Sequence, residues 1–335
     1  MRILIIGGTR FMGPYIIKSL HAAGHKVSIF HRGQTPTELP EGIQEILGDR
    51  DKLADHAERL RSLKADVVLD MMAGTEQQAR QFMEVFTGFA HRSVVVSSQD
   101  VYRAFGRVNL TEGGEVDLSP ITEDSPLREN LYPHRNHPGG DGAEYDKILV
   151  ERVVMGQPEL PGTILRLPAV YGPGDFQHRM FPYLKRMLDG RPAIVLEESV
   201  ANWRWTHGYV ENVADAITLA VTDERASGRI YNVGEPLALS VAERIAQIAK
   251  ATHWQGRVVT LPTDRLPESM REEGNVAQHV VADSTRIRRE LDYAEHIDLE
   301  ESFRHTIAWE SANPPAKVDP CTFDYETEDQ VLATL

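Results

Sequence analysis

The chain opens on Arg2-Ile3-Leu4-Ile5-Ile6-Gly7-Gly8-Thr9-Arg10-Phe11-Met12-Gly13, and the reading of this stretch decides the fold. Residues 3–6 read as a buried strand, because a parallel strand covered on both faces needs no polar alternation. Two glycines stop it. Beyond them Phe11, Tyr15, Ile16, Ile17 and Leu20 make one apolar helix face, which Gly24 closes. Such a strand, turn and helix bring main-chain N–H groups and a positive helix end to one point, which suits an anion such as a pyrophosphate. A tight turn without a ligand uses the same glycines, so the rest of the chain has to decide between the two.

Strand-like runs recur at 26–30, 44–47, 66–69, 93–96 and 163–167, alternating with helix-like stretches. The alternation predicts an α/β fold: a Rossmann doubly wound parallel sheet with helices on both faces. Past residue 170 the pattern loosens, with helix-like stretches near 180–188, 213–221, 241–251 and 299–309. The expected division is a dinucleotide-binding domain over 1–171 plus about 206–235, a smaller C-terminal α/β substrate-binding lobe over 172–205 and 236–312, and a surface tail over 313–335. Residues 103–142 are polar and rich in Gly, Pro, Asn and His, which reads as a functional lid or a disordered segment.

The composition, 41% apolar and 26% charged over 335 residues, is that of an ordinary globular protein. A net charge of −14 argues against general binding to nucleic acid or to an anionic membrane. No apolar run approaches the roughly 20 residues of a membrane span, and no signal peptide is read at the N-terminus. The single cysteine, Cys321, excludes an internal disulfide. A cytoplasmic protein is the expectation.

Further segments follow the glycine turn in order. They are Gly48-Asp49-Arg50-Asp51, Asp66-Val67-Val68-Leu69-Asp70-Met71-Met72-Ala73 and Ser97-Ser98-Gln99-Asp100-Val101-Tyr102. Then come Leu165-Arg166-Leu167-Pro168-Ala169-Val170-Tyr171-Gly172-Pro173-Gly174, Tyr209-Val210-Glu211-Asn212-Val213-Ala214 and Tyr231-Asn232-Val233-Gly234. Together they resemble the extended short-chain dehydrogenase/reductases, the family of nucleotide-sugar epimerases and dehydratases. Arg10 stands where that family has its middle glycine, which resembles the atypical branch that includes the chloroplast stem-loop RNA-binding proteins.

The resemblance implies NAD or NADP as cofactor. Gly7, Gly8, Thr9, Arg10, Phe11, Met12 and Gly13 would hold its pyrophosphate, and Asp49 and Arg50 would lie at the adenine. Met71, Met72 and Ala73 would border the cofactor, with Leu167, Pro168 and Val170 beside the nicotinamide. At the end of the second strand, Phe30-His31-Arg32-Gly33 contains no acid to bond the ribose hydroxyls of NAD. A guanidinium there can pair with a 2′-phosphate, so His31 and Arg32 favour NADP. A solvated surface role for Arg32 is the competing reading.

The implied chemistry needs a tyrosine acid/base, a lysine four residues later on the same helix face, and a serine or threonine. Ser98 matches the serine, and Lys147, with Glu151 beyond it, matches the lysine. Four residues before Lys147, however, stands Ala143, and the nearest phenol, Tyr145, lies on the wrong face if both are helical. Two repairs are open. Tyr145 could occupy a non-helical turn before the helix, with Gly139, Gly140 and Gly142 allowing the approach. Alternatively Tyr102 or Tyr132 could swing in from the long polar segment. Failing both, Tyr145 is a packing residue and the site lacks an acid/base.

Substrate contacts are expected from Asp100, Tyr102, Arg179, Arg204 and Trp205. Ala169 stands where the nucleotide-sugar relatives carry an asparagine, and Trp205 where they carry a phosphate-binding arginine. The expected substrate is therefore a small molecule that is not a nucleotide diphosphate sugar. His134, His137, His178 and His207 lack metal-ligand spacing, and no metal is expected. The function expected is an atypical NAD(P)-dependent oxidoreductase or epimerase acting on a sugar- or polyol-like hydroxyl, with a homodimer left open. The other reading is a cofactor-binding protein without turnover, a sensor or an RNA-associated scaffold.

Overall fold

The computed structural model describes residues 1–135 and 142–335. In chain order the first half consists of β1 (Arg2–Ile6), α1 (Met12–Ala22), β2 (Lys26–His31), β3 (Gln44–Leu47), α2 (Ala57–Ser62), β4 (Val67–Asp70), α3 (Glu76–Phe86) and β5 (Arg92–Ser98). There follow α4 (Arg103–Val108), α5 (Lys147–Met155), β6 (Gly162–Leu167), β7 (Ala169–Tyr171), α6 (Phe181–Leu188), β8 (Ala193–Glu197), α7 (Glu198–Asn202) and β9 (His207–Tyr209). The chain finishes with α8 (Val210–Thr222), β10 (Ile230–Asn232), α9 (Val241–Thr252), β11 (Arg257–Leu261), α10 (Thr285–Leu291), α11 (Leu299–Ala312) and α12 (Tyr325–Leu332).

Seven strands form one sheet in the order β3-β2-β1-β4-β5-β6-β10. Every pairing in it is parallel. Alternate side chains leave opposite faces, as a strand requires. Ile3, Ile5, Val27, Ile29, Leu69 and Val94 pack with Ile16, Ile17 and Ile217 of α1 and α8. Leu4, Ile6, Phe30, Val68 and Val95 pack with Phe82, Phe86 and Val150 of α3 and α5. The expected Rossmann sheet is therefore present, buried on both faces. Its order reverses between β1 and β4, and such a switch point opens a crevice at the carboxyl ends of the strands. Ile6 pairs with both Phe30 and Asp70, which brings the ends of β1, β2 and β4 level at that crevice.

Beyond β6 two short parallel pairs, β8–β11 and β7–β9, carry a second group of helices. The chain returns to the main sheet for α8 and β10 before leaving it again. Two expectations need correction. The C-terminal segment is not a featureless surface tail: α12 docks through an ion pair of Glu328 with Arg186 at 2.6 Å, and Val331 is buried beside Val195 and Leu261. Its acidic composition reads as solvated, yet the helix turns one acid and one apolar residue inward. Within 103–142, residues 103–108 form α4, and Tyr102 is fully buried just before it. His137, Gly139 and Gly140 lie outside the described residues.

The turn after β1 depends on one contact. Gly7 and Gly8 both hold a φ of +91°, which side chains resist. A Cβ on Gly13 would stand 2.1 Å from the Gly8 carbonyl oxygen, so α1 rests backbone to backbone on the turn. Gly13→Ala is expected to force α1 off the sheet and to cost about 1–3 kcal/mol, the range for overpacking a tight core. Urea unfolding of the two proteins checks this, and equal midpoints would show that the contact is not limiting.

Candidate active site

A cleft of about 390 Å³ lies over the carboxyl ends of β1, β2 and β4. Gly7 to Met12 form one wall, the His31 to Thr35 segment forms another, and Met71 and Met72 line it as well. Its cations are Arg10, Arg32 and Arg50, with His31 beside them, and no carboxylate is among its lining residues. In a chain of net charge −14 this is a local reversal of sign. Arg10 Nε donates to Thr35 Oγ1 at 2.8 Å, which ties the glycine turn to the loop after β2. His31 Nε2 bonds Glu45 Oε2 at 2.9 Å, while Arg32 is exposed and has no ion-pair partner among the described residues. Phe11, at the entrance to α1, meets Phe176 edge-on at 6.4 Å across the mouth. A dinucleotide fits this lining: glycines with no Cβ in the way, a helix N-terminus and unpaired cations for phosphate.

Asp49 caps the turn after β3 by accepting from the Asp51 N–H at 3.1 Å. Arg50 is buried, with Nη2 donating to Asp70 Oδ2 at 2.6 Å and to the Gln78 carbonyl at 2.9 Å. Asp70 was not singled out as a site residue from sequence. Its second oxygen accepts from the Met72 and Ala73 N–H groups at 2.8 and 3.0 Å, so it shapes the whole 71–73 turn. Leu167 and Val170 are buried in the core beside Pro168, where β6 gives way to β7.

The tyrosine question is settled by where α5 begins. Asp146 is its N-cap: Oδ1 accepts from the Ile148 N–H at 2.9 Å and Oδ2 from the Tyr132 N–H at 2.6 Å. Lys147 is thus the first helical residue and Tyr145 lies in irregular backbone ahead of the cap. The Tyr145 N–H bonds the Gly142 carbonyl at 2.9 Å, and Gly142 has a φ of +80°. Freed from the helix, the phenol reaches β5. Its hydroxyl donates to Asp100 Oδ2 at 2.6 Å, with the Ser98 side chain nearby. Ser98 Oγ also accepts from the Asp100 N–H at 3.1 Å. Lys147 Nζ donates to the Ala73 and Val96 carbonyls at 2.6 and 2.8 Å, between β4 and β5.

Electrostatics follow from burial. Burial raises the Asp100 carboxyl, against the hydrogen bond from Tyr145 and the charge of Arg128. The Tyr145 phenol is raised by burial first, and then by the Asp100 charge that accepts its proton. Burial lowers the Lys147 ammonium, against the charges of Asp100 and Asp70. Asp100 Oδ1 is buried without a partner, an open acceptor beside the phenol.

Other expected contacts lie elsewhere. Tyr102 is fully enclosed: it donates to Asn232 Oδ1 at 2.7 Å and receives Arg166 Nη1 at 2.9 Å, so it neither meets substrate nor replaces Tyr145. Tyr132 lies under the Arg135 guanidinium, 3.7 Å from its ring centroid. Arg204 turns to Glu243 at 2.8 Å and to the Ala238 carbonyl, and Arg179 to Asp175 at 2.8 Å. Trp205 packs against Trp203, Phe105 and His207. These corrections share a cause, since each side chain found an internal partner that the linear sequence does not display. Among the histidines, His134 lies 5.3 Å from the Tyr145 ring, and His178 bonds Glu310 at 2.8 Å. His207 bonds the Trp205 carbonyl. No cluster of potential metal ligands occurs among the described residues.

Residues 137–234 match the NAD dependent epimerase/dehydratase family. The matched segment runs from just before Tyr145 and α5, through β6 and β9, to β10. The chain is 24% identical over 288 residues to the 2'-dehydrokanamycin reductase of Streptomyces kanamyceticus, covering 83% of this chain and 74% of that protein. It is 26% identical over 248 residues to the chloroplast stem-loop binding protein of 41 kDa b of Arabidopsis thaliana, covering 69% and 58%. The Thermus thermophilus UDP-glucose 4-epimerase, solved in complex with NAD, superposes with a TM-score of 0.67 at 20% identity over 93% of this chain and all of that one. The chain is also 29% identical over 217 residues to the dTDP-glucose 4,6-dehydratase of Streptomyces griseus, covering 64% of this chain and 57% of that protein. No helix among the described residues is long and apolar enough to cross a membrane.

Asp146 could have been found from sequence, since an Asp just before the apolar run Ile148-Leu149-Val150 is a helix-start signal. The Asp100–Tyr145 contact has no such signal. Asp100→Asn keeps an acceptor for the phenol and removes the charge that holds its proton. Because burial raises the Asp100 carboxyl, its ionisation costs the folded state stability as pH rises, a cost the amide does not carry. Urea midpoints from about pH 4 to 8 are expected to shift in favour of Asp100→Asn as pH rises, and a difference between the two proteins that does not change with pH would mean that Asp100 is not raised by its burial.

Proposed function

We propose that this chain is an NADP-preferring oxidoreductase or epimerase acting on a sugar- or polyol-like hydroxyl that carries no nucleoside diphosphate. The observation that carries the reading is the Tyr145 phenol held beside Ser98 and Asp100 at the carboxyl end of β5. Gly7 to Gly13 would hold the pyrophosphate, and Arg10 and Arg32 the 2′-phosphate. The nicotinamide, when bound, takes up or supplies the hydride. Ser98 orients the substrate oxygen. In oxidation the Tyr145 proton passes to Asp100 Oδ2 and the phenolate oxygen takes the hydroxyl proton of the substrate; in reduction both transfers reverse. Burial raises that carboxyl, which favours its protonated form and so its uptake of the phenol's proton. Lys147 ties the 71–73 turn to β5 and adds a positive potential beneath the phenol.

The cofactor preference rests on the acid-free lining of the cleft and the unpaired Arg32. Wild type is expected to bind NADP at least tenfold more tightly than NAD, because a charge-assisted contact contributes roughly 1.5–3 kcal/mol. Arg32→Ala is expected to lose the preference and keep the NAD affinity. Calorimetric titration of both dinucleotides checks this, and equal affinities in wild type would leave Arg32 a surface charge.

The substrate class rests on Ala169, which has no amide to offer a diphosphate, and on Arg204 and Arg179, each already committed to a carboxylate. The reductase relative fits, since its name contains no nucleoside diphosphate. The UDP-glucose 4-epimerase neighbours name the opposite class. A panel of sugars, aminosugars and polyols, assayed with NADP and NADPH, is expected to yield a turnover that Tyr145→Phe reduces by roughly 10²–10⁴. Micromolar binding of UDP-glucose to the cofactor-loaded protein would overturn the substrate reading. Absence of turnover across the panel would favour a cofactor-binding role without chemistry.

A further inference from the structure

The phenol and its acceptor stand on different segments, Tyr145 ahead of α5 and Asp100 in the turn Gln99–Val101 that follows β5. Arg128 lies where the two segments meet. Its own segment is held beside the turn by the backbone: Leu127 bridges Tyr102 in antiparallel fashion, and the Arg128 N–H donates to the Val101 carbonyl at 2.8 Å. From there the side chain runs inward, and only 1% of it is exposed. Nε donates to the Asp100 carbonyl at 2.6 Å and Nη1 to the Asn130 carbonyl at 2.7 Å. Nη2 lies 3.6 Å from Asp146 Oδ1, an ion pair too long for a hydrogen bond. The Asp146 oxygens accept instead from the Ile148 and Tyr132 N–H groups, so no hydrogen bond to the cap draws the guanidinium away from Asp100. A planar group with donors pointing several ways suits such a junction better than a single ammonium does.

Charge is the second contribution. In the acid/base reading above, Tyr145 and Asp100 share one proton and one negative charge, whichever of them holds the proton. That charge is buried, and a buried charge needs an opposite one close by. Besides the phenol, the groups that act on the Asp100 carboxyl are Arg128, Lys147 and His134. Burial lowers the Lys147 ammonium, and imidazoles as a class exchange their proton near neutrality. A guanidinium keeps its charge throughout. Arg128 also acts on the Tyr145 phenol, favouring its ionised form. We propose that Arg128 is a positioning residue of the candidate site: it fixes the Asp100 turn against the start of α5 and supplies a permanent counter-charge for the proton that Asp100 and Tyr145 share. The inference rests on that acid/base reading and adds to it the group that keeps the pair anionic.

Carbon-13 NMR of the side-chain carboxyls reads the pair directly, with the Asp100 resonance identified by its loss in Asp100→Asn. The Asp100 titration midpoint is expected about 1–3 pH units higher in Arg128→Gln than in wild type, the displacement that an adjacent opposite charge produces. Arg128→Lys, which keeps the charge, is expected to return the midpoint close to the wild-type one. Should Arg128→Gln not fold, Arg128→Gln/Asp146→Asn compared with Asp146→Asn reads the same displacement without a buried carboxylate left unpaired at the cap. Equal midpoints with and without the arginine overturn the proposal. So does Arg128→Lys titrating like Arg128→Gln, since Arg128 would then act as a clamp alone. An Asp100 that stays protonated in wild type at every pH overturns it as well, because the pair would carry no charge to offset. The titration needs no substrate, so a wild type without turnover counts against the function proposed above and not against this assignment.

Discussion

The cap at Asp146 is the constraint on which the candidate site depends. A carboxyl group with no solvent exposure accepts from the Ile148 N–H in the first turn of α5 and from the Tyr132 N–H, while the Asp146 backbone N–H bonds the Gly74 carbonyl. These bonds decide where the helix starts, and hence which side of the boundary each neighbour occupies. Lys147, one residue inside, is directed by helical geometry toward the ends of β4 and β5. Tyr145, one residue outside, is free of the 100° step that would otherwise have turned it from the lysine. A phenol two residues from the lysine thereby reaches the serine-bearing strand. Had the helix begun a turn earlier, Tyr145 would have faced away from Ser98.

Beneath that boundary lies a buried network that keeps β5, β6, β10 and α5 in fixed relation. Glu151 accepts from Ser97 Oγ at 2.6 Å and from Arg166 at 2.7 Å, and Arg166 extends through Tyr102 to Asn232. A buried ion pair is weak evidence for stability, since desolvation opposes its Coulomb energy. A network whose members are mostly satisfied does restrict the number of ways the elements can pack. Here it holds the strand that carries Ser98 against the helix that carries Lys147. Asp70 does the equivalent at the cofactor end, joining β4, the turn after β3 and the start of α3 through Arg50.

The glycine turn, the run of buried strands and the ordered segments up to Gly234 were legible because each rests on a local rule, either period, turn chemistry or spacing. Ser98 and Lys147 were singled out through the family resemblance, not through a local rule. Tyr102, Arg179 and Arg204 were read as substrate contacts, and the structure gives each a protein partner: a polar residue near a motif suggests a ligand contact until that partner is seen. Those partners, Asn232, Asp175 and Glu243, lie 130, 4 and 39 residues away. Trp205 was read as a substrate contact and lies in an aromatic cluster with Trp203 and Phe105. The C-terminal acids were read as solvated, yet Glu328 meets Arg186 across 142 residues.

By itself the sequence determined the parallel α/β architecture, the glycine turn at the end of β1, the absence of an acid after β2 and the conflict between Tyr145 and Lys147. All four follow from the identity and spacing of neighbours in the chain, because backbone periodicity and helix geometry are local. Tertiary structure alone decided on which side of the helix start Tyr145 falls, which arginines remain unpaired in the cleft and which carboxylate accepts the phenol's hydrogen bond. Those outcomes turn on contacts such as Tyr145 with Asp100 and Arg50 with Asp70, 45 and 20 residues apart. The energy of such a contact depends on burial and on competing partners, and neither exists until the sheet has brought the distant segments together.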